Sequence, residues 1–78
     1  MSVAMEVCAI AERAIAGRSP SCITEVVVEV GDLAGIEIQN LEFCLDTLLR
    51  IPPFTRAHAV VRRERGDVLR VASVEIDE

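Results

Sequence analysis

The stretch Ile23–Arg50, ITEVVVEVGDLAGIEIQNLEFCLDTLLR, decides how this chain folds. Its first eight residues are dominated by β-branched side chains, which suit a pleated, half-buried surface. Val26, Val28 and Val30 fall on one face; Glu25, Val27 and Glu29 fall on the other. One face is thus buried and the other mostly wet, as in a sheet covered on one side. GDLAG, Gly31 to Gly35, then reads as a tight strand-to-helix turn, and it lacks the G-x-x-x-x-G-K-[ST] pattern of a phosphate loop. Beyond it the apolar period changes from two to 3.6. Ile38, Leu41, Cys44, Leu45, Leu48 and Leu49 fill one arc of a helix over Ile38–Arg50, with Gln39, Glu42, Asp46 and Arg50 opposite. Phe43 breaks the pattern by landing among the polar residues. Either it packs under the GDLAG loop or against another helix, or it stands out as an aromatic anchor for a protein partner.

Upstream, Val3, Val7, Ile10, Ala11 and Ala14 recur at helical spacing, predicting a helix over Ser2–Gly17. Ser2 suits its N-cap, and Gly17 with Ser19-Pro20 suits its end. Downstream, Pro52-Pro53 stops the second helix. A strand over Arg56–Glu64 follows, then a Gly66-Asp67 turn and a returning strand over Val68–Ile76. In that last strand the apolar residues change parity: Leu69 and Val71 are odd, Val74 and Ile76 even. A bulge or sharp twist near Ala72-Ser73 is therefore expected. The order α-β-α-β-β implies an α/β two-layer domain over residues 1–78. Its sheet is mixed and three-stranded, with both helices on one face. The first two strands are parallel through a right-handed crossover, and an antiparallel hairpin closes the chain.

Charge and composition narrow the function. The chain has 13 acids against 8 arginines and no lysine, for a net charge of −5. Such a chain is poorly suited to nucleic-acid phosphates, and the Arg62, Arg63 and Arg65 cluster reads as a solvated turn. No segment approaches the length of a membrane span. The first residues lack the basic start of a secretory signal. Three cysteines make an odd number, which fits a reducing compartment, so the cytoplasm is expected.

Catalytic chemistry finds little support. His58 is the only histidine and lies in a strand as an ordinary surface or edge residue. No nucleophile–base arrangement surrounds any Ser or Cys, so no enzymatic activity is expected. Cys8, Cys22, Cys44 and His58 could compose a zinc ligand set, but no close pair such as C-x-x-C occurs. Cys8 and Cys44 fall on apolar helix faces, where free Cys acts as a small hydrophobe. Neither a metal nor another cofactor is expected. The residues with a binding role are taken to be Phe43 with its acidic neighbours Glu42 and Asp46. An open sheet edge also makes a homodimer a candidate state.

Three stretches together resemble the HypA/HybF family of nickel chaperones in [NiFe]-hydrogenase maturation. MSVAMEVCAIAE looks like the family's first helix. ITEVVVEVGDLAGIEIQNLEFCLDTLL looks like its strand, turn and second helix, and GDVLRVASVEIDE like its last strand. The resemblance implies protein partners, namely the hydrogenase large subunit or the nickel-delivering GTPase. Two departures accompany it. Family members begin Met-His-Glu and hold nickel there, whereas Met1-Ser2 leads straight into a helix here; Ser is a poor nickel ligand. The family also carries a zinc domain with two C-x-x-C pairs between its last two strands, where this chain has only Arg63-Glu64-Arg65-Gly66. The resemblance therefore implies a metal-free binding module on the family scaffold. The alternative is a nickel-delivery chaperone whose metal motifs are missing from this chain through an upstream start or an engineered deletion.

Overall fold

A computed structural model of the chain describes residues 3–77. The elements are α1 (Val3–Ala14), a 3-10 turn (Pro20–Cys22), β1 (Ile23–Gly31), α2 (Ile38–Leu48), β2 (His58–Glu64) and β3 (Leu69–Ile76). The order is the expected one, and α1 and α2 cover the same sheet face. The cap expected at Ser2 lies outside the described residues. The first helix gives way earlier than Gly17, because Ala16 and Gly17 both turn to positive φ, 54° and 90°. Helix α2 stops at Leu48 rather than Arg50. Leu49 caps it in αR conformation and still buries its side chain, so the apolar pattern outlasts the helix.

The sheet is ordered β2-β1-β3, with β1 parallel to β2 and antiparallel to β3. This corrects one expectation: β2 and β3 form no hairpin, because β1 lies between them. The reason is burial. Central placement gives β1, the most apolar strand, neighbours on both sides, so Val26, Val28 and Val30 are wholly buried. Residues 65–68 arch over the end of β1 instead of turning tightly. Two strand spacings are about 10 Å, which four extended residues span easily. The arch is bonded to what it crosses. Gly31 N–H donates to the Val68 carbonyl at 2.6 Å, Asp32 N–H to Glu64 at 2.9 Å and Leu33 N–H to Gly66 at 2.7 Å. The Asp32 carboxylate in turn accepts from Gly66 N–H at 3.0 Å.

The bulge is where the parity change placed it. Val27 pairs with Ser73 but Val28 with Val71, leaving Ala72 as the extra residue. Val71, Val74 and Ile76 consequently all pack against the core. That core joins Ala4, Val7 and Ala11 of α1, Leu41 and Leu45 of α2, and the β1 valines, with Phe54 and Ala57 closing one end.

The second sheet face is not bare at its centre. Val27 is only 5% exposed, so it offers no contact surface, contrary to the alternation pattern alone. It lies between Val60 and Ser73 in the ladder. Above and below it, Glu25 meets His58 at 3.0 Å and Glu29 meets Arg70. The stems of such long side chains cover apolar neighbours while their charged ends stay wet.

Candidate docking surface

Helix α2 presents its outer face because its inner arc is fully occupied. Leu41, Leu45 and Leu49 are buried at no more than 4% exposure. At 100° per residue, Phe43 falls almost opposite the middle of that arc. The structure accordingly leaves Phe43 71% exposed, so it packs neither under the Gly31–Gly35 loop nor against another helix. Glu42 and Asp46 are exposed beside it, one position before and three after. All three residues singled out from the sequence thus share one solvent-facing strip. Within it the Thr47 hydroxyl donates to the Phe43 carbonyl at 3.0 Å, so this side chain folds back onto the helix.

Around α2 lie two open clefts. One, about 250 Å³, separates the starts of the two helices and is lined by Val3, Ala4, Gly35, Asn40 and Cys44 among others. The other, about 430 Å³, lies between the end of β1, the start of α2 and Arg63. The smaller cleft holds Cys44 and Glu37 in its lining, the larger one Asp32, Glu37 and Arg63.

The remaining candidates separate widely. His58 sits at the exposed start of β2, bonded to Glu25 across the sheet, as an ordinary edge residue. The cysteines are all free; Cys8 is buried, whereas Cys22 and Cys44 are partly exposed. Among the described residues, no three His, Cys, Asp or Glu side chains gather where an ion could be held. Burial pushes the Cys8 thiol up from its ordinary value, with Glu12 adding to the effect. Burying the neutral thiol therefore stabilises the fold up to the ordinary thiol range and loses its effect as alkaline pH ionises the group. Since the thiolate is the nucleophile, Cys8 is expected to alkylate at least tenfold more slowly than Cys22 or Cys44 at pH 8, on the order set by protection through burial. Mass mapping of timed iodoacetamide labelling checks this; equal rates at all three sites contradict it.

Sequence patterning missed one prominent apolar residue. Leu33 is 77% exposed in the loop between the two glycines. Its only signal was an apolar side chain inside a turn, where polar residues are usual.

No family model matches the chain, and no solved structure matches it. The hydrogenase maturation factor HypA of Parabacteroides distasonis is 32% identical over 67 residues, covering 86% of this chain. The chain spans 58% of that relative's length. The aligned share of this chain is large enough to include most of the α-β-α-β-β framework described above. The chain is thus a partial homologue of that HypA, alike over most of its own length and over little more than half of the relative's.

Proposed function

We propose that this chain serves hydrogenase maturation as a metal-free protein-binding module. It docks on the hydrogenase large subunit or the nickel-delivering GTPase through the outer strip of α2. The observation that carries the reading is Phe43, a large aromatic on the outer face of α2 that is 71% exposed. Aromatic anchors of this kind dominate binding energy where they enter a partner's pocket, and flanking carboxylates form a polar rim. Glu42 and Asp46 supply that rim. The arch Arg65-Gly66-Asp67-Val68 contains no metal-ligating pair, which supports a role through shape rather than through a bound ion. No described helix is long and apolar enough to cross a membrane.

The test is a binding titration with purified large subunit and GTPase, comparing wild type with Phe43→Ala. The variant is expected to bind its partner at least about tenfold more weakly, as for a hot-spot truncation. Its unfolding free energy should stay within about 0.5 kcal/mol of wild type, because the ring touches little of the fold. Unchanged affinity for both partners rules out this surface. Calorimetric titration with Ni²⁺ tests the metal-free part; submicromolar binding ends it in favour of nickel delivery.

A further inference from the structure

The outer edge of β3 presents a definite set of backbone groups. The Val68 carbonyl bonds Gly31 at one end, and Asp77 N–H bonds Cys22 at the other, at 2.8 Å. Both ends are therefore turned toward β1. Counting alternately inward from each, Arg70 and Glu75 also turn toward β1. Leu69, Val71, Val74 and Ile76 turn their N–H and C=O groups to the open edge. The two counts meet at Ala72-Ser73, where the register slips. Among the described residues, no strand pairs with this edge.

The slip makes the edge complementary to itself. In a regular strand, a two-fold axis normal to the sheet pairs residues of equal parity. Here parity reverses at mid-strand, so an axis between Ala72 and Ser73 sets Leu69 opposite Ile76, Arg70 opposite Glu75 and Val71 opposite Val74. Each pair shares a face: the apolar ones lie on the helix side, the charged ones on the open side. The pairing uses the whole of Leu69–Ile76 with no overhang. Edge bulges commonly deter pairing, but this one lies on the axis, where each copy's bulge meets the other's.

Two further observations favour a second copy over another occupant. Glu75 neighbours Glu25 in the β1 register, a like-charge contact that Arg70 of the second copy would offset. Beside the edge, Ala14, Ile15, Ala16, Arg18, Val74 and Ile76 line an open groove of about 390 Å³, and Leu69 is 40% exposed. Surface of mixed character, apolar with Arg18 in its lining, therefore continues past the strand. The β2 edge is different, since pairing His58–Glu64 with itself about Val61 sets Arg62 opposite Val60 and Arg63 opposite Ala59, leaving neither arginine an acidic partner across the seam.

We propose that the chain forms a two-fold dimer through antiparallel pairing of β3 with itself about Ala72-Ser73, making one continuous six-stranded sheet. The test is sedimentation of wild type, Glu75→Arg, Arg70→Glu and an equimolar mixture of the two variants. Wild type is expected at twice its 8.5 kDa mass. Each variant alone sets like charges opposite one another twice and should dimerise about tenfold or more weakly. In the mixture every charged pair is again Arg–Glu, so the dimer should return. A wild type that stays monomeric at high micromolar concentration overturns the proposal. So does a dimeric Glu75→Arg, or a mixture that fails to associate. Should either variant unfold, hydrogen exchange of wild type decides. The amides of Leu69, Val71, Val74 and Ile76 should gain protection as concentration rises, and unchanged exchange there overturns the proposal.

Discussion

Gly31→Ala is expected to unfold most of the protein at 25 °C. A Cβ at this position would lie 2.1 Å from the Gly66 carbonyl oxygen and 2.6 Å from the Gly66 carbon and the Val68 nitrogen. All three are backbone atoms, so no rotamer change relieves the overlap. The arch over β1 must lift, and the Gly31–Val68, Asp32–Glu64 and Leu33–Gly66 bonds that tie it down are lost with it. Overpacking of this kind costs roughly 3 kcal/mol, and several lost bonds add about 1 kcal/mol each. The total rivals the roughly 5 kcal/mol expected of so small a domain. Gly35→Ala is the informative contrast. Gly35 has φ +71° but open space around it, so only backbone strain applies, about 1 kcal/mol. Circular dichroism melts of the two variants separate the mechanisms. A Gly31→Ala melt within a few degrees of wild type would mean that the arch does not press on β1.

The same arch marks where the sequence stopped being informative. Alternation of apolar and polar residues specifies which face of a sheet a side chain occupies. It does not specify which strand lies alongside. Val71, Val74 and Ile76 reach the helix-covered face whether β3 pairs with β2 or with β1. Gly66-Asp67 serves an arch as well as it serves a tight turn. The hairpin expectation failed on that degeneracy, and Gly31 looked like any loop glycine until the crossover was in view. The bulge at Ala72 was legible because a parity change inside one strand has no other economical reading. The burial of Val27 was not, since it depends on Glu25, Glu29 and their cross-strand partners rather than on its own strand. Phe43 lay between these cases: the wheel placed it outward, and only the absence of a neighbour reaching over it made the outward position real.

Leu45→Ala is expected to give the second largest loss, and it bears directly on how α2 divides its work. Leu45 is completely buried at the centre of the inner arc, within reach of both layers. Removing its isobutyl group takes away transfer energy and leaves a cavity that a β-sheet backbone cannot collapse to fill, a cost of roughly 2–5 kcal/mol. For a domain of this size that lowers the melting temperature by about 10–30 °C. Leu45→Met keeps the volume and should cost less than about 1.5 kcal/mol. Phe43 is only two residues away, yet its truncation should leave the melt nearly unchanged and weaken partner binding instead. The two alanine variants therefore make opposite demands: one loses stability and binds normally when kept cold enough to stay folded, the other folds normally and binds poorly. If Leu45→Ala weakens partner binding at a temperature where it is fully folded, the inner arc is not insulated from the docking strip, and α2 must be read as one mechanically coupled element. If it binds like wild type there, the helix holds the fold with one face and leaves the other free to be recognised.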